Sequence, residues 1–330
     1  MEPILELGLE ATRWLQENYP QLRGLMGVLR ELGTEEFYLT FLPLLYWCVH
    51  KRFATHLVTL FLISIGINAM AKHGFRGPRP LWLDPSLGLG GEDPQYGVPS
   101  NHVQSTAVIF LFAAAWIRRS WAWLVALVFV FLMAVSRVFL GDHFLHDVVA
   151  GFLFALLCLL GYWVWQNRFA KNYNRRILGQ RILYALLVPI GLAVLYALVL
   201  LIIGEADTSQ YGSEIISQAE REGYDGVATV VGALIGIAFG FPLETSRVRF
   251  RVEGAIWKRI LRYVLGIVVA GLIWGGLGAI FPDEPLWLAI PLRIFRYGLL
   301  TAWISYYAPW VFVRLGLADA DPPAEISLKM

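Results

Sequence analysis

Apolar residues run along the chain in about nine long stretches. Each approaches the roughly 20 residues an α-helix needs to cross the hydrocarbon core of a bilayer. They lie near residues 34–50, 53–72, 102–117, 120–138, 144–166, 182–203, 226–243, 260–281 and 288–313. The pattern predicts an all-α, polytopic membrane bundle of about nine transmembrane helices. Ahead of it, residues 3–30 mix Leu, Trp and Ile with Glu, Arg and Gln, which predicts an amphipathic helical segment, 1–33 as a whole, lying on the membrane surface. Residues 232–244, GALIGIAFGFPLE, carry the small side chains that let helices approach closely, which predicts a packed second bundle in 167–330.

Composition agrees with this setting: 57% of residues are hydrophobic, 16% are charged, and 13 Trp and 14 Tyr suit anchoring at membrane interfaces. A net charge of +2 argues against a nucleic-acid partner. Glu2, Glu6 and Glu10 stand where a cleavable signal would need basic residues, so none is expected. Cys48 and Cys158 fall in apolar runs and read as small buried hydrophobes without a disulfide. Basic residues set the orientation. Lys51 and Arg52, Arg118 and Arg119, Arg168–Arg181 and Arg247–Arg262 occupy alternate connections, which are therefore expected in the cytoplasm together with the C-terminus. The other connections are acidic or rich in Gly and Pro and are expected on the opposite face.

Against this apolar background, KHGFRGPRP (72–80), PSNH (99–102) and SRVFLGDHFLHD (136–147) gather histidines, an aspartate and cations. All three open onto the same non-cytoplasmic face in the predicted topology, so four helix ends can meet there. His143 and Asp147 are four residues apart on one helical face, where the carboxylate can fix the imidazole tautomer and free the other ring nitrogen to attack phosphorus. His102 is placed to protonate the leaving oxygen and later to deprotonate water. Lys72, Arg79 and Arg137 would neutralise the non-bridging oxygens. Ser100 is read as a helix N-cap, with the amides of Ser100, Asn101 and His102 aimed at the same anion. Asp142 reads as a helix cap and His146 as structural. His50, His56 and His73 have no partner legible in the sequence, and Arg76 is open between phosphate contact and loop packing. Trp82 and Tyr96 suggest that 81–98 is a lid or interfacial anchor. Arg293 and Arg296 read as interfacial snorkelling residues.

These three segments resemble the signature of the type 2 phosphatidic acid phosphatase superfamily, K-x6-R-P, P-S-x-H and S-R-x5-H-x3-D. Lys72, Arg79 and Pro80 match the first part, Pro99, Ser100 and His102 the second, and Ser136, Arg137, His143 and Asp147 the third. Asn101 replaces the glycine often found in the second. The resemblance covers residues 34–166 and implies a phosphatase core working through a phosphohistidine at His143, with no metal or other cofactor. The chain also lacks a carboxylate cluster of the kind Mg²⁺ sites use. About nine spans with an outside N-terminus resembles the glucose-6-phosphatase and sphingosine-phosphate phosphatase branches. A site at headgroup depth implies a lipid phosphate or polyprenyl diphosphate substrate, undecaprenyl diphosphate in a bacterial host. A sugar phosphate is the alternative within the same chemistry. A vanadate-type haloperoxidase, or a transporter or scaffold that keeps the pocket, are the alternatives outside it. Oligomeric state is not legible.

Overall fold

Thr34 opens the first core helix, its Oγ1 accepting from Phe37 N at 3.4 Å, with Glu35 and Glu36 favourably placed in the positive first turn. Such local signals recur along the chain. The computed structural model describes residues 3–91, 94–209 and 211–322. They form helices α1 (Pro3–Asn18), α2 (Arg23–Glu31), α3 (Glu35–Leu44), α4 (Lys51–Phe75), α5 (Asn101–Ile117), α6 (Ser120–Phe139), α7 (Leu145–Arg168), α8 (Leu178–Ile203), α9 (Ser213–Leu243), α10 (Ile256–Gly271), α11 (Leu286–Ala302) and α12 (Ala308–Arg314), with short helical turns between some of them. Among the described residues no strand forms, only an isolated bridge between Phe250 and Ala320. His50 caps α4 by accepting from Phe53 N at 3.1 Å, and Arg76 ends it in the left-handed conformation (φ 48°), its amide donating to Lys72 O.

Every apolar stretch read from the sequence lies on these helices and the helical turns that continue them, and the molecule is a helical membrane bundle. Six segments among the described residues are long and apolar enough to cross a membrane: Lys51–Leu83, Ser120–Phe139, Leu145–Arg168, Leu178–Ile203, Ser213–Val248 and Ile256–Ile280. The 17-residue α5 is a shorter apolar helix beside them. The expected nine is not reached by this measure. α3 is only 10 residues long and starts with two glutamates, and α11 carries Arg293 and Arg296.

The packing follows from which faces are apolar and which are small. Residues of α3 to α7 share one core containing Leu57, Phe61, Val103, Ala107, Leu111, Met133 and Ala155. α9 threads the other half, packing against α4, α8 and α11, with 72% of its most apolar window buried, whereas α8 and the α10 segment bury 17% and 11%. Gly232, Gly236 and Gly240 lie four apart on one face of α9, and a β-carbon at any of them would overlap atoms of Ile294, Gly298, Thr301 or Ser305. Apolar side chains gain nothing by leaving lipid, so this close approach supplies the dispersion contacts that hold the helices together. At the start of α4, Lys51 Nζ donates to Glu244 Oε1 at 2.8 Å and to Phe250 O at 2.9 Å, joining the two halves.

Two elements differ from expectation. α1 and α2 present Ile4, Leu7, Trp14, Leu25 and Val28 outward, but their other face seals the end of the bundle. Gln16 Nε2 donates to Leu87 O and Phe139 O, at 2.9 and 2.8 Å, and Met26 and Leu29 pack on Phe139 and Leu140. Tyr96, expected as an anchor, is buried, its hydroxyl donating to Glu220 Oε1 at 2.7 Å. The geometry ties it into the bundle by hydrogen bonds instead of anchoring it at the membrane surface.

Candidate active site

The polar face of α4 begins well below the site. Ser64, Asn68 and Lys72 follow one another at four-residue spacing, so they stack on one side of the helix. Asn68 Nδ2 donates to Pro99 O at 3.2 Å and to Gln104 Oε1 at 2.8 Å, and Gln104 Nε2 donates to Ser64 O and Oγ, both at 2.8 Å. This buried ladder satisfies its amide groups internally and fixes α5 against α4. It therefore sets where PSNH sits relative to Lys72. Sequence reasoning missed it, although the four-residue polar spacing within an apolar run was visible.

Backbone carbonyls draw the remaining segments together. Ser100 N donates to Asp147 O at 3.0 Å, which ties the start of α5 to the first turn of α7, and Gly151 leaves room for that approach. Lys72 Nζ donates to Tyr96 O at 2.7 Å. Arg79 donates through Nε to Gln95 O at 2.5 Å, through Nη1 to Asp142 O at 2.9 Å and through Nη2 to Tyr96 O at 3.4 Å. Arg137, at the end of α6, holds the turn to α7 by accepting from the amides of Asp142 and His143 at 3.1 and 3.3 Å. The three motif segments thus converge at one end of the bundle.

Within that cluster His143 Nδ1 lies 3.2 Å from Asp147 Oδ2, and both side chains are buried. The same Asp147 oxygen accepts from Phe144 N at 2.9 Å, so the carboxylate is held while it orients the ring. Burial, and then the charges of Arg79, Lys72 and Arg137, hold the His143 imidazole well below its ordinary range, so it is neutral at pH 7. A neutral ring with Nδ1 committed to a carboxylate keeps the lone pair of Nε2 as a nucleophile or base. His102 Nε2 and Ser100 Oγ are buried and have no hydrogen-bond partner among the described residues. Lys72, Arg79 and Arg137 outnumber Asp142 and Asp147, so the cluster favours an anion.

Other residues depart from the sequence reading. Asp142 does not cap a helix. Its carboxylate faces Arg137, Oδ2 to Nη1 at 3.0 Å, because the Arg137 carbonyl pulls its backbone back over α6. Ser100 occupies the N-cap position of α5 without a side-chain cap bond. His146 Nε2 lies 3.1 Å from Asp147 Oδ1, so it contacts the carboxylate despite its different helical direction. Asn101 accepts from Ser105 Oγ at 3.2 Å and lines a cavity of about 100 Å³ together with Lys72, His73 and Tyr96. Ser136 donates to Met26 O at 2.9 Å and serves packing. Arg76 pairs with Glu220, Arg293 with Asp225 at 3.1 Å, and His56 meets Gln166 at 3.3 Å. The N-terminal segment also reaches the site, since a β-carbon on Gly33 would overlap the His102 ring, and in the 81–98 connection one on Gly90 would press on the Asp142 carboxylate.

Comparison with known proteins points the same way. Residues 53–171 match the model of the PAP2 superfamily, and residues 228–320 match that of the PAP2 superfamily phosphatase, transmembrane extension. The chain is 24% identical over 319 residues to mouse sphingosine-1-phosphate phosphatase 1, covering 87% of this chain and 71% of that protein. It is 33% identical to human sphingosine-1-phosphate phosphatase 2, over 41% of this chain and 35% of that one. To the undecaprenyl-diphosphatase of Sulfolobus acidocaldarius it is 31% identical, over 44% of this chain and 70% of that one. No solved structure matches. The matched core contains every motif residue from Lys72 to Asp147, and the second match covers α10, α11, α12 and the second half of α9. The chain belongs to the PAP2 superfamily of phosphatases and carries its transmembrane extension.

Proposed function

We propose that the protein hydrolyses a lipid phosphate or polyprenyl diphosphate without a metal, through a phosphohistidine on His143. The observation that carries this reading is the His143 Nδ1 to Asp147 Oδ2 contact of 3.2 Å, buried among three cations. In the first half-reaction the Nε2 lone pair of His143 attacks phosphorus. The bond from phosphorus to the leaving oxygen breaks, and His102, which takes up a proton when the substrate's negative charge offsets the cations around it, gives that oxygen the proton. In the second, His102 takes a proton from water as the water oxygen bonds to phosphorus. The phosphorus–nitrogen bond then breaks, releasing phosphate and restoring His143. Lys72, Arg79 and Arg137, with Ser100 and the amides at Asn101 and His102, stabilise the equatorial oxygens. Asp147 keeps the Nδ1 proton of His143 in place throughout.

The alternation of basic connections supports an active site on the non-cytoplasmic face, with the C-terminus in the cytoplasm. The similarity to a sphingosine-1-phosphate phosphatase runs into the extension, whereas that to the undecaprenyl-diphosphatase covers less than half of the chain. This favours a lipid monophosphate first and a polyprenyl diphosphate second. The test is phosphate release by detergent-purified protein, with a chelator present, from sphingoid and glycerolipid phosphates, polyprenyl diphosphate and glucose 6-phosphate, beside His143→Ala. Release from lipid substrates that survives chelation and vanishes in the variant is the expected result. Loss of activity on chelation, full activity in His143→Ala, or hydrolysis of glucose 6-phosphate alone would overturn it.

A further inference from the structure

A partly buried polar network joins the first half of α9 to the cations Lys72 and Arg79, and neither matched region contains its central carboxylate. Glu220 lies on α9, ahead of residue 228 where the extension match begins. Its Oε1 accepts from Tyr96 O–H at 2.7 Å, and its two oxygens accept from Arg76 Nε and Nη2 at 2.9 and 3.0 Å. His73 Nε2 lies 3.5 Å from the same carboxylate, and His73 Nδ1 meets the hydroxyl of Tyr196 on α8. Tyr96 is 2% exposed. Its own carbonyl accepts from Lys72 Nζ and from Arg79 Nη2, and the neighbouring Gln95 carbonyl accepts from Arg79 Nε.

We propose that Glu220 is a positioning residue for catalysis: through the Tyr96 hydroxyl it fixes the backbone carbonyls that aim Lys72 and Arg79. This rests on the phosphatase reading for the roles of those two cations. The physical reason is geometric. A tyrosine held at its hydroxyl and packed along its ring has little freedom at its own backbone, so the carbonyl of Tyr96 becomes a fixed point. Two cationic side chains measured from one fixed carbonyl keep their separation, which is what binding a tetrahedral anion in one orientation requires. Without that restraint the segment has room to shift, because Lys72, His73, Tyr96, Asn101 and Gly223 line the cavity of about 100 Å³ at this junction. Arg76 closes the other side, its Nη2 also donating to Gly204 O at 2.9 Å after α8. The first half of α9 thereby acts on the reaction without touching the substrate.

The test uses the full-length protein in detergent, with Tyr96→Phe, Glu220→Gln, Glu220→Ala and the double variant Tyr96→Phe/Glu220→Ala. Two quantities are read for each: steady-state turnover of the preferred lipid phosphate, and affinity for orthovanadate as a phosphate analogue from its stabilisation of the protein against heat. Tyr96→Phe and Glu220→Ala are expected to lose about tenfold in kcat and in vanadate affinity. Glu220→Gln, whose amide oxygen still accepts from Tyr96, should recover most of both. The double variant should be no worse than Glu220→Ala alone, because both changes cut one link. Vanadate affinity needs no turnover, so it tests the positioning even if the wild-type protein hydrolyses none of the substrates. Wild-type vanadate affinity in Tyr96→Phe, or additive losses in the double variant, would overturn the proposal. So would Glu220→Gln being as impaired as Glu220→Ala.

Discussion

Asp147 serves two masters with one oxygen, accepting from the Phe144 amide and from His143. Replacing it with asparagine keeps the size but offers a donor where the imidazole needs an acceptor, so the ring turns or changes tautomer. We expect Asp147→Asn to lower kcat on the order of 10³-fold while KM stays within about twofold, since the cations still hold the phosphate; unchanged turnover would contradict the orienting role. His143 also leaves a mark on stability. Its imidazole is held below the ordinary range in the folded protein, so this ring is neutral in both the folded and the unfolded chain above about pH 6.5. Below that value the unfolded chain takes up a proton that the folded site resists, and stability declines as pH falls towards the lower folded value. Melting curves should therefore show the wild type losing more stability than His143→Gln between pH 7 and pH 5. Parallel curves would mean that burial of this ring costs nothing on protonation.

Among the elements, the N-terminal segment is where sequence and structure part most. Its mixed polarity was legible, and the outward apolar residues fit it, but Gly33 carries no sequence signal that its backbone touches His102. Such a contact depends on how α2 and α3 meet, which no local pattern encodes. We expect Gly33→Ala to displace the His102 ring and lower turnover about tenfold, with a smaller effect on Gly27→Ala, where a β-carbon meets nothing within 4 Å. Activity in Gly33→Ala equal to that in Gly27→Ala would remove α2 from the site. The helices themselves were readable because twenty-residue apolar runs have few other uses, and the convergence of the three motif segments because each sits at a helix end that interrupts such a run. What was not readable is pairwise. Asp142 turned out to face Arg137, His146 to reach Asp147, and Arg76 to meet Glu220 across a separation of 144 residues. Those partners are chosen by tertiary packing, which brings together side chains whose separate sequence contexts are unremarkable.

At the scale of the molecule, the core is fastened to α9 and the segment that follows it near both ends of α4, which lie about 35 Å apart along its axis. One fastening is the Glu220 network near Lys72. The other is Lys51 with Glu244, whose side chain is 1% exposed and also accepts from Phe250 N at 2.9 Å. Glu244→Ala would leave the Lys51 ammonium with the Phe250 carbonyl and the face of the Phe250 ring, and no counter-charge. We expect a loss of about 2 kcal/mol, below that for a fully buried pair because Lys51 is partly exposed. Thermal denaturation in detergent checks it, and vanadate affinity should stay unchanged because the site lies at the far end. An unaltered melting temperature would show that the two halves do not depend on this pair. The burial of α9 has a further consequence for how the protein is made. Most of its surface is reserved for other helices, and the glycine face is reserved for α11, which emerges from the ribosome after it. Until that later helix enters the bilayer, α9 has an unfilled groove towards the lipid. Membrane assembly of the second half therefore ends with its last long helix, and chains arrested before residue 286 should be the ones that quality-control proteases recognise.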